Sequence, residues 1–441
     1  MHSISARLSG DLSFRLAKTD ICTHNLHTYP AKFIPQLAQE LINTFSKPGD
    51  RIADIFAGSG TTNLEAMRLG RYSLALDVNP VASLLTRAKT ALVEPAILSE
   101  AIETVTTNSL RLSLTSGIDT EVVQTALEGK NVEKLKYWFP ECNVIHLSLL
   151  LSEINQVGDE DLRDILLLIF SSSLKLSSHW LGWSVKPQRD RRPEEPEDTD
   201  LIDPKVRYRR KVPYSADVFA KRAREVLKRY VASVPQLNRQ IAYRPQVVCA
   251  DLLNYQLGTI CYDAVITSPP YLTSYEYADL HQLTAYWLFN TQTVDEFQKL
   301  GFIGTKRQSD IYKETLVTSP SLDKLRSIMK AGTQRNVEQY FSSMQFSFSK
   351  VHQSLKEGGY FCIVIGNSRF KGYEIANHQI FIELLEGIGF EICGTWERDI
   401  PNKRLTSLRH AQTGRILPNV LRGTENAIEI YPTEFILVAR R

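Results

Sequence analysis

The sequence predicts an α/β fold: a doubly wound, mostly parallel sheet interrupted by a large, mostly helical insertion. Three observations carry this. An apolar run, Arg51-Ile52-Ala53-Asp54-Ile55-Phe56, enters the glycine turn Ala57-Gly58-Ser59-Gly60-Thr61-Thr62 and then a helical pattern from Asn63. A second run, Ser73-Leu74-Ala75-Leu76-Asp77, ends in an acid. A third, Tyr262-Asp263-Ala264-Val265-Ile266, ends in Thr267-Ser268-Pro269-Pro270-Tyr271.

Strand, glycine turn and helix in that order make a nucleotide-binding corner. Gly58 and Gly60 permit positive φ and close backbone approach, and the helix N-terminus offers free N–H groups. Asp77 follows the glycines by about twenty residues, where a doubly wound fold holds ribose hydroxyls. A phosphate-binding P-loop needs a lysine after its last glycine, and Gly60 is followed by Thr61-Thr62. A dinucleotide corner wants a third glycine where this chain has Asn63.

The interval from about Pro80 to Tyr243 is far longer than a βαβ crossover requires, so it reads as an insertion. Helical periodicity runs through Leu98 to Leu114 and Asp161 to Leu176, and Ser215 caps an amphipathic basic helix reaching Val231. The sheet resumes at Gln246–Leu252 and continues through the Tyr262–Ile266 strand. Beyond it lie an aromatic helix at 275–289, a Lys- and Arg-rich helical stretch from Thr293 to Asn336, and a helix over Val337–Leu355 with a C-cap at Lys356-Glu357-Gly358-Gly359. Strands at Tyr360–Asn367, Phe390–Trp396 and Glu434–Ala439 close the chain. The catalytic unit is expected at 1–94 plus 241–441, with the insertion at 95–240.

The Ser-Pro-Pro-Tyr loop sets a small hydroxyl, backbone carbonyls and an aromatic face at the carboxyl end of a strand. Two prolines lock φ and remove two backbone donors, so the loop is stiff and rich in acceptors. That suits a flat molecule carrying an amino group. A strand terminator alone would look the same.

With 441 residues, 43% hydrophobic and 23% charged, the chain can build a large core. The longest apolar stretch, Ile165 to Phe170, is too short to span a bilayer, and no signal-peptide core is expected at the amino terminus, so a cytoplasmic location is expected. Six cysteines without C-x-x-C spacing suggest reduced thiols and no structural metal. A net charge of +3 is compatible with nucleic acid without requiring it. Locally, Arg189, Arg191, Arg207, Arg209 and Arg210 bracket an acidic patch with Tyr208 and Tyr214 interleaved, and a second basic run holds Arg404 and Arg409. The first reads either as a solvated linker or as a DNA-contacting loop, and the second is expected to flank the base pocket and contact DNA.

The Asp54–Thr61 and Thr267–Tyr271 segments resemble the cofactor and catalytic motifs of the S-adenosylmethionine-dependent DNA amino-methyltransferases, and the SPPY form is most like the cytosine-N4-specific enzymes of restriction-modification systems. His27-Thr28-Tyr29-Pro30-Ala31-Lys32-Phe33-Ile34-Pro35 is similar to the segment that precedes the first strand in that family and closes over the methionine end of the cofactor. The resemblance covers about the first ninety residues and the last two hundred. It implies a Rossmann-like, seven-stranded class I methyltransferase sheet completed by an antiparallel hairpin. It implies S-adenosyl-L-methionine as cofactor, held by Tyr29, Lys32, Phe33, Asp54, Phe56, Ala57, Gly58, Ser59, Gly60, Thr61, Asp77 and Asp251, with Asp251 receiving the adenine amino group. A helix cap is the other role open to Asp251. Ser268, Pro269, Pro270 and Tyr271 become the catalytic set.

An exocyclic amine is a poor nucleophile, so acceptors must take both of its N–H bonds while the methyl donor is aligned. Ser268 and the Pro269 carbonyl are the expected acceptors, with neither metal nor covalent adduct. The cytosine-C5 alternative needs a nucleophilic cysteine after proline, and the chain has no Pro-Cys dipeptide. The target base must be flipped out of the duplex, at a cost of a few kcal/mol, and Tyr271 is the expected stacking partner. Double-stranded DNA is the expected partner, with a cognate restriction endonuclease possible. The adenine-N6 enzymes share the order of motifs found here but usually begin the catalytic loop with Asp or Asn. RNA guanine-N2 methylation and a catalytically silent DNA-binding protein are weaker alternatives.

Overall fold

The computed structural model describes residues 8, 11–29, 34–182, 184, 187–196, 203, 206–238, 240–272, 277–304, 317–400, 408–410, 424, 427–429 and 433–441. Helix α1 (Pro35–Phe45) starts on a proline, which is tolerated at the first helical position, and buries Leu37, Ala38, Leu41, Ile42 and Phe45. Strand β1 (Arg51–Asp54) leads through the glycine turn to α2 (Thr61–Arg68), and β2 (Tyr72–Asp77) leads to α3 (Pro80–Thr90). Six helices follow: α4 (Pro95–Thr115), α5 (Glu121–Ala126), α6 (Val132–Trp138), α7 (Glu141–Asn155), α8 (Glu160–Leu174) and α9 (Ser215–Ser233). The chain then returns to the sheet at β3 (Gln246–Cys249) and β4 (Tyr262–Thr267). Helices α10 (Tyr277–Leu288), α11 (Val294–Gln298), α12 (Pro320–Ile328) and α13 (Ala331–Ser354) precede β5 (Leu355–Ile365). The last elements are β6 (Ser368–Phe370), β7 (Tyr373–Ile375), α14 (Asn377–Ile388), β8 (Glu391–Asp399), β9 (Leu408–His410), β10 (Ala427–Glu429) and β11 (Thr433–Arg440).

Among the described residues, seven strands form one sheet in the order β3-β2-β1-β4-β5-β11-β8. The first five are parallel, and β11 runs antiparallel to both β5 and β8. This is the Rossmann-like class I order expected. Strand periodicity sorts the core between the two faces. Ile52, Ala264, Ile266, Cys362, Val364, Ile436 and Val438 pack with α1 on one face. Ala53, Val265, Phe361, Ile363, Ile365, Leu437 and Ala439 pack with α13 and α14 on the other.

The insertion does not hang free of the sheet domain. Its helices share a hydrophobic cluster with α3 and α10, in which Phe139 and Phe170 meet the Trp287 ring edge-on at 5.8 and 5.9 Å. The Tyr230 hydroxyl, on α9, accepts from the Val93 N–H at 2.8 Å and donates toward the Ala91 and Val93 carbonyls at 3.1 Å. One element departs from the sequence reading. Lys356–Gly359 is not a helix C-cap: α13 ends at Ser354, Leu355 is already extended, and the glycines lie within β5. The reason is packing, since the Gly358 N–H donates to the Arg441 carbonyl at 2.9 Å and a Cβ at Gly359 would stand 2.9 Å from the Lys356 carbonyl.

Candidate active site

The order of strands reverses between β1 and β4, and a cleft opens at the carboxyl ends of the strands on either side, where doubly wound folds hold ligands. It contains about 830 Å³ of empty space, part of it open to solvent. Four consecutive strand ends supply its walls: Asp54 to Ser59 after β1, Asp77 and Val78 after β2, Ala250 to Leu252 after β3, and Ser268 and Pro270 after β4. Tyr29, Thr61 and the segment Gly301–Ile303 complete it.

The glycine turn is held in shape by β2. The Gly58 N–H donates to Asp77 Oδ2 at 2.8 Å, and the Asn79 N–H donates to Asp77 Oδ1 at 2.8 Å. Gly58 has φ of +51°, and a Cβ there would lie 3.3 Å from the Tyr29 ring. Gly60 has φ of +75°, and its Cβ would stand 2.6 Å from Thr86 Cγ2 on α3, so this glycine sets how closely the two helices approach. Tyr29 in turn stacks on His281 of α10, with ring centroids 4.9 Å apart and planes 21° from parallel. Burial lowers the His281 pKa to about 4, so its imidazole is neutral.

Three carboxylates face or floor the cleft, and burial raises the pKa of each. Asp54 is pushed up to about 6, with the Thr267 and Thr62 hydroxyls and the Phe56 N–H opposing the rise and Asp77 adding to it. The Thr267 hydroxyl donates to Asp54 Oδ1 at 2.6 Å, which ties β1 to β4 directly beneath the Ser-Pro-Pro-Tyr loop. Asp77 is also pushed up to about 6, opposed by the Asn79 and Gly58 N–H groups. Asp251 is raised as well, opposed by the Leu253 N–H, Lys350 and Asn254. It accepts from Leu253 N–H at 2.9 Å, a local turn bond that leaves the second carboxylate oxygen to Asn254 at 2.8 Å. The Lys350 ammonium braces this turn through the carbonyls of Leu252, Leu253 and Tyr255 at 2.7 to 2.9 Å.

On the Ser-Pro-Pro-Tyr loop, the Ser268 hydroxyl donates to the Val364 carbonyl of β5 at 3.0 Å. The Pro270 carbonyl accepts from the Tyr340 hydroxyl at 2.9 Å. Pro269 is buried, and neither it nor Tyr271 belongs to the lining of the cleft. The Tyr271 hydroxyl donates to Glu434 Oε1 at 3.1 Å, and its ring passes 3.4 Å from where a Cβ on Gly366 would stand. Glu434 faces Arg398 across the β11–β8 register at 3.7 Å.

The structure brings Tyr29, Asp54, Phe56, Ala57, Gly58, Ser59, Thr61, Asp77, Asp251, Ser268 and Pro270 into one cleft. Lys32, Phe33 and Arg404 lie outside the described residues, as do Tyr275 and Glu276. Arg409 is on β9, paired through its backbone with Ile428. Of the five insertion arginines expected at DNA, Arg191 and Arg207 are exposed. Arg189 lies over the Tyr137 ring at 4.8 Å, Arg209 pairs with Glu194, and Arg210 donates to the Leu176 and Ser178 carbonyls at 3.0 Å each. Sequence reasoning missed the walls made by Val78, Leu252, Phe302 and Ile303, and the supports Thr267, His281, Tyr340 and Val364. The pair of glycines flanking Phe302-Ile303 was a visible signal, and Thr267 stood in the loop motif without a role; His281, Tyr340 and Val364 carry no signal, because they act through packing and bonds to backbone carbonyls.

The chain's residues 14–86 match the DNA methylase family, a span that includes β1, the glycine turn, α2 and β2. It is 27% identical over 433 residues to the type II methyltransferase M.MvaI of Kocuria varians, covering 92% of this chain and 90% of that one. It is 24% identical over 427 residues to the type II methyltransferase M.BsoBI of Geobacillus stearothermophilus, covering 83% and 78%. An 86-residue stretch is 37% identical to the type II methyltransferase M.MjaII of Methanocaldococcus jannaschii, covering 19% of this chain and 16% of that one. Among solved structures, the rRNA methyltransferase aviRa of Streptomyces viridochromogenes aligns at 11% identity with a TM-score of 0.31, over 99% of this chain and 96% of that one, a likeness too loose to inform fold or substrate.

Proposed function

We propose, from the premise that this chain is a DNA amino-methyltransferase of the restriction-modification family, that it uses S-adenosylmethionine to methylate the exocyclic N4 amine of cytosine in duplex DNA. The observation that carries the reading is the cleft itself, in which the glycine turn, Asp77, Asp251 and Ser268 occupy the ends of four adjacent strands.

The residues present fit the cofactor. Gly58 has no room for a side chain beneath Tyr29, and Asp77 retains lone pairs for ribose hydroxyls beyond its two backbone bonds. Val78, Ala250 and Leu252 offer apolar walls beside Asp251 for a heteroaromatic base. When bound, S-adenosylmethionine supplies an electrophilic sulfonium methyl.

The chain's own part is to bind, orient and accept. Ser268 gives its one proton to the Val364 carbonyl, so toward the cleft its oxygen can only accept. An amino N–H directed there, with the Pro269 carbonyl proposed as the second acceptor, leaves the nitrogen lone pair free for in-line attack; the surplus proton then departs to solvent. Pro269 itself stands beside the cofactor cleft and not in its lining. Tyr271, anchored through its hydroxyl to Glu434, offers a stacking face worth about 1 to 3 kcal/mol against a flipping cost of a few kcal/mol. The neutral hydroxyl of Ser268 at the head of the loop is the ground for preferring cytosine. We place the enzyme in the cytoplasm, acting on double-stranded DNA.

The test is direct. Purified protein with labelled S-adenosylmethionine and duplex DNA transfers label, and nuclease digestion with mass spectrometry yields N4-methylcytosine. N6-methyladenine in its place would overturn the choice of base, and no transfer to DNA would overturn the reaction.

A further inference from the structure

Between α11 and α12, four residues cross the cleft. Gly301 sits against the cofactor end: its φ is +98°, and a Cβ there would lie 3.2 Å from Asp251 Oδ2. Gly304 sits against the catalytic loop: its φ is +82°, and a Cβ there would lie 2.9 Å from the Tyr271 carbonyl and 3.5 Å from the Tyr340 ring. Both positions demand glycine for conformation and for space. Tyr340 is the same side chain that holds the Pro270 carbonyl, so the strap's second end and the catalytic loop share one support.

The two residues between the glycines line the cleft and are almost fully buried, Phe302 at 5% and Ile303 at 7% exposure. They belong to different cores. Phe302 packs edge-on against Phe297 at 5.5 Å in the cluster built by the insertion's helices, whereas Ile303 packs in the cluster beneath the sheet. The strap therefore touches four things at once: the acid after β3, the catalytic loop after β4, the insertion's core and the sheet's core.

We propose that Gly301–Gly304 is a positioning strap that couples occupancy of the cofactor end of the cleft to the placement of the catalytic loop, with Phe302 and Ile303 packing on the bound cofactor. The inference rests on the reading of the cleft as an S-adenosylmethionine site. A ligand that fills the space beside Asp251 presses on Phe302 and Ile303, and a four-residue segment fixed at both ends by close-packed glycines transmits that contact to Tyr271. Coupling of this kind is reciprocal: a properly seated catalytic loop also raises affinity for the cofactor.

The test uses the full chain and S-adenosylhomocysteine. Calorimetry gives its affinity, and hydrogen exchange of peptides spanning 262–272 gives the order of the catalytic loop. In the wild type, S-adenosylhomocysteine slows exchange in that peptide. Phe302→Ala weakens binding about tenfold or more, the loss expected for removing a buried aromatic wall. Gly304→Ala still binds, but the ligand no longer slows exchange at 262–272. Should Gly304→Ala fail to fold, Ile303→Ala replaces it, with the same loss of ligand-induced protection expected. Affinity within twofold of wild type in Phe302→Ala, or full ligand-induced protection in the folded strap variant, would overturn the strap. Absence of S-adenosylhomocysteine binding by the wild type would instead overturn the reading of the cleft on which it rests.

Discussion

The Ser268 hydroxyl donates to the Val364 carbonyl at 3.0 Å, so the residue at the head of the Ser-Pro-Pro-Tyr loop has its proton turned toward β5 and only lone pairs left for the cleft. A serine hydroxyl is ordinarily free to donate or accept, and this bond removes the choice. Ser268→Ala is expected to lower kcat by about 10² to 10³, the range for removing one preorganised polar group from a reaction centre. The affinity for S-adenosylhomocysteine stays within twofold, because the proposed role of Ser268 is on the amine. Equal losses in both would assign Ser268 a structural role.

Asp77 makes a pH-dependent prediction. Burial raises its pKa to about 6, and the hydroxyls it is proposed to receive favour the ionised form. Binding therefore competes with protonation: S-adenosylhomocysteine affinity is flat above about pH 7 and falls, approaching tenfold per unit, as pH drops below 6. Asp54 and Asp251 are raised too, so Asp77→Asn isolates the contribution. That variant binds more weakly at pH 7.5 and loses most of the pH dependence. A wild-type profile flat from pH 5 to 8 would refute the ribose role.

Asp54 bears on stability and not on binding alone. Its folded pKa of about 6 lies above the ordinary 3.8, so the folded state holds this proton more tightly than the unfolded chain. The resulting stabilisation is complete below about pH 4 and is lost as pH rises through 6. At neutral pH the buried anion costs on the order of 3 kcal/mol. Asp54→Asn keeps an acceptor for the Thr267 hydroxyl and the Phe56 N–H while removing the charge. Thermal denaturation is expected to show an equal or higher Tm at pH 7.5 and a shallower decline between pH 4 and 6. Asp77 has the same sign, so some slope remains. An unchanged profile would mean that another group carries the charge.

What the sequence made legible follows from which contacts are local. The glycine turn, Asp77 and the Ser-Pro-Pro-Tyr loop each advertise a backbone constraint through residue type, and all three arrive at neighbouring strand ends. The sheet strands were visible as short, nearly continuous apolar runs, the mark of strands covered on both faces, and α4, α8 and α9 through their apolar faces. The short helices α5 and α6 bury few residues and left too weak a period to be seen. The Lys356–Gly359 segment carried a cap signature, but backbone pairing with Arg441 at the end of β11 inside the sheet decided its conformation. Residues that meet the site from a distance were illegible: Tyr340 reaches the loop across 70 positions and Val364 across 96, and nothing local marks either.

The insertion's arginines divide by what they already hold. Arg210 donates to the Leu176 and Ser178 carbonyls just past the end of α8, and Arg209 is paired with Glu194, whereas Arg191 and Arg207 are exposed. If exposed arginines meet DNA phosphates, Arg191→Ala with Arg207→Ala lowers the slope of log affinity against log salt by roughly 1.8, about 0.9 for each contact. Arg210→Ala leaves that slope unchanged and instead lowers stability by about 1 kcal/mol, because it removes partly exposed hydrogen bonds to those carbonyls. Salt titrations of duplex binding together with urea denaturation separate the two effects. A full slope after removing Arg191 and Arg207 would move the phosphate contacts elsewhere, and a reduced slope with intact stability in Arg210→Ala would show that its carbonyl bonds are surrendered when DNA binds.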